Sequence, residues 1–200
     1  MAPEIARNVG GVFPVFLGED ATNVAQKLLG CYLIRSFGSQ SIRARIVETE
    51  SYDETDAASH SYNGRTSRTD VMFGDSGHLY VYFTYGMHYC CNVVTGTPGE
   101  GSAVLIRAVE PLDGHDALVA RRGKDGVEVT NGPAKLCQAL EIDRELNGHN
   151  LQFSPLQLAT GPPLDPDAII TTPRIGISRE REAMRRFYIR GNPYVSRTEY

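Results

Sequence analysis

Apolar and polar residues alternate between Ile42 and Ile46, with an arginine at each intervening position. This period of two is typical of a β-strand with one buried face, and the strand is predicted to continue to Glu50. Successive side chains of a strand point to opposite faces, so Glu48, Glu50 and Tyr52 are expected to share one face. A carboxylate beside an aromatic ring in a partly dry setting can activate water against a flat substrate. The alternative is a solvent-facing strand whose glutamates have no chemical role.

The first half of the chain predicts one helix and two β-hairpins. Asp20 is a suitable helix N-cap, and Gly30 marks the end of the helix that follows. The predicted elements are a helix over 21–29, a first hairpin of strands 31–37 and 42–50, and a second hairpin of strands 78–85 and 88–94. The polar residues 53–70 are expected to connect the two hairpins.

The second half of the chain predicts shorter elements. Glycines at 99 and 101 mark a turn before a further strand, and Pro133 suits the first turn of a helix. The expected elements are a strand over 102–109, helices over 115–122 and 133–140, a proline-rich loop over 151–172, and closing strands over 174–177 and 187–190. Because no linker or internal repeat interrupts this pattern, the chain is predicted to form a single mixed α+β domain over residues 1–200, with mostly antiparallel strands.

Composition narrows the classes of protein. A chain of 200 residues, 41% hydrophobic and 22% charged, is long enough to bury a substantial core. The longest apolar runs are too short for a transmembrane helix, and residues 1–9 lack the pattern of a secretory signal. No membrane association and a cytosolic location are therefore expected. The four cysteines show no C-x-x-C spacing, so buried thiols are expected rather than a metal site.

The charge distribution leaves two interpretations open. The net charge of −4 argues mildly against a nucleic-acid-binding protein. However, residues 174–197 contain seven arginines and only two glutamates, and arginine is well suited to bidentate contacts with phosphate. This segment is predicted either to contact nucleic acid or to form salt bridges at the protein surface.

The second predicted hairpin is unusual because it is aromatic and uncharged. Residues 76–98 contain no Asp, Glu, Lys or Arg, yet they contain five aromatic rings. A hairpin has two faces, so these rings cannot all lie in the core. The tip Tyr85-Gly86-Met87 is predicted to form an exposed apolar wedge that enters a minor groove and separates base pairs. The alternative is a hairpin buried at the centre of the sheet.

Seven short motifs are spread in order along nearly the whole chain. They are Val47-Glu48-Thr49-Glu50-Ser51-Tyr52, Ala57-Ala58-Ser59-His60-Ser61, Leu79-Tyr80-Val81-Tyr82, Tyr85-Gly86-Met87, Leu105-Ile106-Arg107-Ala108-Val109-Glu110-Pro111, Asn131-Gly132-Pro133-Ala134-Lys135-Leu136-Cys137-Gln138-Ala139-Leu140 and Arg186-Phe187-Tyr188-Ile189-Arg190-Gly191. Together they resemble the alkyladenine (3-methyladenine) DNA glycosylase family. The resemblance implies a curved, mostly antiparallel sheet flanked by short helices, with a protruding β-hairpin that inserts into DNA.

The resemblance also implies roles for individual residues. The implied site residues are Glu50, Arg107 and Ile175 for catalysis, Tyr52, His60, Tyr82 and Asn92 for the base pocket, and Tyr85 and Met87 for DNA intercalation. Glu50 matches the carboxylate that activates water, which Arg107 and the backbone carbonyl of Ile175 help to hold. Tyr85 matches the side chain that takes the place of the extruded base, and Asn92 matches a residue that excludes guanine.

The implied activity is that of a monofunctional DNA glycosylase of base excision repair. Such an enzyme flips a damaged purine out of duplex DNA and hydrolyses its N-glycosidic bond with water activated by a glutamate. Alkylated purines such as 3-methyladenine and 7-methylguanine are the expected substrates, with hypoxanthine as a further candidate. The resemblance implies a monomer that acts on double-stranded DNA without metal or cofactor, near the nucleoid in a bacterium. Two alternatives stay open: a non-catalytic nucleic-acid-binding module and a hydrolase of free nucleosides.

Overall fold

The computed structural model describes residues 11–84 and 87–196, which contain three α-helices and eight β-strands. Tyr85 and Gly86, in the predicted tip of the second hairpin, lie outside the described residues. The elements are α1 (Ala21–Leu28), β1 (Tyr32–Phe37), β2 (Gln40–Tyr52), β3 (Leu79–Thr84), β4 (His88–Val94), β5 (Ala103–Pro111), α2 (His115–Arg122), α3 (Pro133–Ala139), β6 (Leu156–Ala159), β7 (Ile169–Thr172) and β8 (Arg186–Ile189).

The long strand β2 is the centre of the sheet. The strand order is β3-β4-β5-β2-β1-β6, with β8 pairing both β2 and β7, and every pairing is antiparallel. β1 pairs with the first part of β2 and β8 pairs with its last part, so the sheet curls around this strand. A bulge between Ile46 and Thr49 in the pairing with β5 adds local twist. The predicted α+β class with a curved, mostly antiparallel sheet is confirmed.

Neighbouring residues of the central strands face two different environments. On β2, the hydroxyl of Thr49 donates to the backbone carbonyl of Ala25 in α1 at 2.8 Å, whereas Glu50 lines a cavity on the other face. On β4, Cys91 belongs to the hydrophobic core and Cys90 lines the same cavity. This sorting follows from the period of two in a strand. One sheet therefore separates a core from a polar site.

The second half of β2 is buried on both faces, which contradicts the alternative of a solvent-facing strand. Residues 46–51 have no exposed surface, although this segment includes Glu48 and Glu50. The hydroxyl groups of Ser51 and Thr22 in α1 are 3.2 Å apart, which shows that the helix covers one face here. The polar positions of the pattern therefore face a buried polar network rather than bulk water.

The helices cover the core face of the sheet. α1 packs against β2 and β5, α3 packs against β4 and β5, and α2 packs against α3. The carboxylate of Asp20 accepts hydrogen bonds from the backbone amides of Thr22 and Asn23, so it caps α1 as predicted. Fully buried side chains of this core include Leu28, Ile46, Ile106, Leu118 and Leu136. Each such side chain contributes roughly 1.5–3 kcal/mol to stability through burial, so this face supplies most of the hydrophobic stabilisation.

The C-terminal part of the chain differs from the prediction in two places. Residues 151–172 were predicted to be a loop, but they contain β6, which pairs with β1, and β7, which pairs with β8. Residues 174–177 were predicted to be a strand, but they form an irregular segment at the cavity. The last predicted strand is confirmed as β8. Strands of four residues beside prolines give too short an alternation to be recognised from sequence.

Candidate active site

A cavity of about 1070 Å³ opens on the face of the sheet opposite the helices. Eight of the nine predicted site residues line it, namely Glu50, Tyr52, His60, Tyr82, Met87, Asn92, Arg107 and Ile175. The ninth, Tyr85, lies outside the described residues. Tertiary structure therefore brings together residues as far apart in sequence as Glu50 and Ile175. Their roles in catalysis and base binding stay predictions.

The carboxylate of Glu50 is held on the cavity wall by three donors. Its Oε1 accepts from the backbone amide of Ile175 at 2.9 Å and lies 3.2 Å from Nη1 of Arg107. Its Oε2 accepts from the hydroxyl of Tyr52 at 2.8 Å. These donors come from three separate parts of the chain, so the orientation of the carboxylate is fixed by the tertiary structure. The amide of Ile175 contacts Glu50, while the predicted contact of its carbonyl with the attacking water stays a prediction.

Arg107 is shared between two buried carboxylates. Its Nε donates to Oε1 of Glu48 at 2.9 Å, while its Nη1 faces Glu50. Burial alone would lower the pKa of Arg107, but the carboxylates of Glu50 and Glu48 outweigh burial and raise this pKa. Arg107 therefore stays positively charged, and it supplies a fixed cation beside Glu50. Glu48 forms ion pairs with both Arg107 and Arg186, which indicates a structural role for this carboxylate.

Tyr52 is fixed by Glu50 and by a buried arginine behind its ring. The guanidinium of Arg174 lies 4.5 Å from the centre of the Tyr52 ring, and it forms a bidentate ion pair with Asp56. Burial, followed by the charge of Glu50, raises the pKa of Tyr52 above its ordinary value. The phenol therefore keeps its proton and donates a hydrogen bond to Glu50, while the ring forms part of the cavity wall.

A second aromatic group at the cavity is built from His60, Tyr80 and Tyr82. The ring of His60 meets that of Tyr82 edge-on, with centroids 4.6 Å apart, and Tyr80 stacks against Tyr82 at 5.7 Å. Arg68 places Nη2 3.3 Å from Nε2 of His60, and Nδ1 of His60 is 3.1 Å from the Tyr80 hydroxyl. Because an arginine only donates, Nε2 accepts, so neutral His60 carries its proton on Nδ1 and donates to Tyr80.

Asn92 and Met87 complete the described set of predicted residues. The side-chain amide of Asn92 donates to the backbone carbonyl of Tyr80 at 3.0 Å, which holds this buried side chain at the cavity wall. Met87 adopts a positive φ of 68° and is 81% exposed beside the cavity. A large apolar side chain that is exposed in this way is available to a partner molecule.

Comparison with known proteins identifies the family. A family profile described as Methylpurine-DNA glycosylase (MPG) matches residues 15–193. The chain belongs to this family. Its members are DNA glycosylases, so the protein is a DNA repair enzyme, a hydrolase of N-glycosyl bonds whose substrate is DNA.

Individual relatives are similar over nearly their whole length. A protein of Carboxydothermus hydrogenoformans named "Putative 3-methyladenine DNA glycosylase" is 49% identical over 184 residues, covering 91% of this chain and 96% of the relative. A protein of the same name from Methanoculleus marisnigri is 48% identical, covering 91% of this chain and 96% of the relative. A third, from Nitrosospira multiformis, is 44% identical, covering 88% and 89%.

Five of the seven arginines in the C-terminal segment of this glycosylase fall into two groups. The ion pairs formed by the first group are Arg174–Asp56, Arg185–Asp53 and Arg186–Glu48. These three arginines therefore form salt bridges, as the second interpretation predicted, but the pairs of Arg174 and Arg186 are buried rather than at the protein surface. Arg179 and Arg181 are exposed and form no ion pair within residues 11–84 and 87–196, and Arg179 lines the cavity. Contact with phosphate stays a prediction for this second group.

Several residues of the glycosylase cavity were not found from the sequence. Arg68 lies in the segment predicted only to connect the hairpins, and its guanidinium is 5.7 Å from the Tyr82 ring centre. Cys90 lines the cavity, and burial raises the pKa of its thiol to about 11. The period of two on β4 could have indicated Cys90, because it places this residue on the face of Asn92. Nothing in the local pattern around Arg68 indicates its contact.

The side-chain positions also show the state of the cysteines and whether groups of side chains are arranged to hold a metal ion. The four cysteines are buried free thiols, as predicted. Within the described part of the chain, no group of three or more His, Cys, Asp or Glu side chains is arranged to hold a metal ion. No helix among the described residues is long and apolar enough to cross a membrane.

Proposed function

We propose that this glycosylase excises 3-methyladenine, 7-methylguanine and hypoxanthine from duplex DNA, with water activated by Glu50. The observation that carries this proposal is the Glu50 carboxylate, held by Arg107, Ile175 and Tyr52 on the wall of an aromatic-lined cavity. The relatives named for 3-methyladenine support the choice of an alkylated purine. The chain acts as a single domain and a monomer in the cytosol, and it leaves an intact abasic site.

Hydrolysis requires the C1′–N bond to break and a C1′–O bond to form. The electron pair of the broken bond goes to the purine, and the sugar passes through a state with oxocarbenium character. Glu50 stabilises this positive charge and takes one proton from the attacking water. A purine alkylated at N3 or N7 carries a positive charge and leaves without prior protonation. One carboxylate is therefore sufficient for these substrates.

An aromatic cavity can offset the free energy cost of flipping a base out of the duplex. Removing a base from the stack costs a few kcal/mol, and less for a damaged pair. Stacking on an aromatic ring returns about 1–3 kcal/mol per base, and Tyr52, His60 and Tyr82, which line the cavity, are proposed to provide it. Because these energies are comparable, weak pairing of a damaged purine favours its capture over that of an intact base. Tyr85 and Met87 are proposed to fill the space left in the duplex, and Asn92 is proposed to exclude guanine.

Replacing Glu50→Gln is expected to separate binding from chemistry. Gln keeps the shape of the side chain but cannot accept a proton from water, so single-turnover release of 3-methyladenine should fall by about 10²–10⁴-fold. Affinity for the methylated duplex should stay within a few-fold of wild type. Glu145→Gln, at an exposed glutamate away from the cavity, is the matched control and should keep full activity. Retained turnover in Glu50→Gln would remove Glu50 from the catalytic role.

The same assay distinguishes the two alternatives. Salt-dependent DNA binding without any base release would indicate a non-catalytic binding module. Release of bases from free nucleosides, with no preference for duplex DNA, would indicate a nucleoside hydrolase. Strand breakage without added alkali or lyase would contradict the monofunctional assignment, since a lyase step needs an amine nucleophile and no lysine among the described residues lines the cavity.

A further inference from the structure

Ser196 is bound to the central strand through Glu48. Its backbone amide donates to Oε2 of Glu48 at 2.7 Å, and its hydroxyl donates to Oε1 at 2.8 Å. Its carbonyl oxygen accepts from Nη2 of Arg186 at 3.2 Å. Ser196 is 9% exposed and Glu48 has no exposed surface. A residue near the end of the chain therefore provides two of the donors that satisfy a buried carboxylate.

Glu48 and Ser196 both contact Arg107. The Oε1 atom of Glu48 that accepts from Ser196 also accepts from Nε of Arg107 at 2.9 Å, and the Ser196 hydroxyl lies 3.4 Å from Nη2 of Arg107. The guanidinium is planar and rigid. The positions of Nε and Nη2 therefore determine where Nη1 points, and Nη1 is the atom that lies 3.2 Å from Glu50.

We propose that Ser196 is a positioning residue for the hydrolytic step. It acts through Glu48 and Arg107 to hold the Nη1 atom of Arg107 against Glu50, so the C-terminal segment completes the active site. This inference rests on the proposed function of Glu50. A displacement of a reacting group by about 1 Å can reduce a rate about 10²-fold. Loss of a single hydroxyl contact that positions such a group can therefore lower the rate of hydrolysis measurably.

The expected effect of Ser196→Ala is a slower chemical step with unchanged DNA affinity. The variant loses the hydroxyl but keeps the backbone amide on Glu48, so the single-turnover rate constant at saturating enzyme should fall about 10-fold to 100-fold. The enzyme concentration at half-maximal rate should stay within two-fold. A merely structural role would lower thermal stability and leave the rate constant of the folded enzyme unchanged. Methylated duplex DNA is the substrate in each assay.

Two further variants keep the test decisive if Ser196→Ala folds poorly. Ser196→Thr retains the hydroxyl, so it should restore at least half of the wild-type rate constant. Ser196→Cys keeps the approximate shape but has only a weak donor, so it should resemble Ser196→Ala. Ser102→Ala is the matched control, because Ser102 is a buried serine whose hydroxyl lies 2.8 Å from that of Thr95 and which does not line the cavity.

A double-mutant cycle tests whether the effect passes through Arg107. In an Arg107→Lys background the planar fork is absent, so adding Ser196→Ala should change the rate constant less than two-fold. A full additional 10-fold loss in that background would overturn the proposal. The proposal would also be overturned if the folded Ser196→Ala enzyme kept the wild-type rate constant while the Glu50→Gln enzyme was inactive. No base release from the wild-type enzyme would instead overturn the proposed function, and this inference with it.

Discussion

Several charged side chains in this site are buried, and each is in contact with a side chain of opposite charge. Glu48 and Glu50 have no exposed surface, and Arg107 is only 7% exposed. Moving an ion out of water costs several kcal/mol, which the ion pairs and hydrogen bonds around it must offset. Hydrophobic residues of similar volume would often stabilise a fold at least as well. The buried charges are therefore better explained by the chemistry of the cavity than by stability.

His60 is expected to contribute to the pH dependence of stability. Partial burial and then the charge of Arg68 lower the pKa of His60 to about 4, compared with about 6.5 in an unfolded chain. Between these values the unfolded chain binds a proton that the folded protein does not. The free energy of unfolding should therefore fall as the pH falls from about 6.5 to about 4. Above this window both states are neutral, and the contribution is constant.

Urea unfolding at a series of pH values measures this contribution. His60→Gln should lose less stability than wild type between pH 6.5 and 4. The effect should be smaller than for a fully buried histidine, because part of the ring is exposed and solvent screens Arg68. Arg68→Ala should raise the pKa of His60 toward its ordinary value in an NMR titration. A wild-type imidazole that titrates at or above 6.5 would contradict the assignment.

At the scale of elements, the loop between β4 and β5 holds the segment that carries His60. The backbone carbonyl of Gly101 accepts from the Ser61 hydroxyl at 2.7 Å, and its amide donates to Glu54 at 3.0 Å. These contacts fix the connection that follows β2 against the start of β5. The position of the His60 ring is therefore determined by a loop that was recognised from sequence only as a turn.

Gly101→Ala is expected to destabilise the protein through overpacking. A Cβ at this position would lie 2.6 Å from Cζ of Phe73 and 2.6 Å from Cβ of Ser61. These atoms are in a buried region, so the free energy of unfolding should fall by about 1–3 kcal/mol. Gly18→Ala is the control, since a Cβ there meets nothing within 4 Å. Equal unfolding midpoints in urea for the two variants would show that the loop accommodates the added methyl group without a loss of stability.

The elements that the sequence did not predict are the two short strands β6 and β7. Helix α1 was found from its capping residue Asp20 and helix α3 from Pro133 in its first turn, and both strands of the first hairpin were predicted. β6 and β7 have four residues each, and their backbone partners lie on β1 and β8. Their stability comes from those non-local pairings rather than from a local pattern. A sequence pattern cannot show which distant strand has a free edge.

At the scale of the whole molecule, the sheet separates stability from chemistry. Its helix-covered face holds the hydrophobic core, and its other face carries the cavity with the polar network. Although the net charge is −4, exposed arginines are placed at the cavity, where DNA is proposed to bind. Local charge rather than net charge is therefore expected to govern DNA binding.

Arg179 is expected to contribute to DNA affinity through a phosphate contact. It is exposed, lines the cavity and forms no ion pair within the described residues. Arg179→Ala should weaken binding of duplex DNA and reduce the slope of log affinity against log salt by about 1. Lys124→Ala, at an exposed position just after α2, should change neither quantity. An unchanged salt slope in Arg179→Ala, measured by fluorescence anisotropy, would exclude the contact.

The sequence by itself determined the features that depend on local periodicity and backbone preference. The alternation along β2 placed Glu48, Glu50 and Tyr52 on one face, because strand side chains point alternately to opposite sides. The resemblance of ordered motifs indicated the family. Only the tertiary structure decided which groups meet Glu50. The amide of Ile175, the guanidinium of Arg107 and the hydroxyl of Ser196 reach this network through long-range pairing of strands and loops, and no local pattern encodes such contacts.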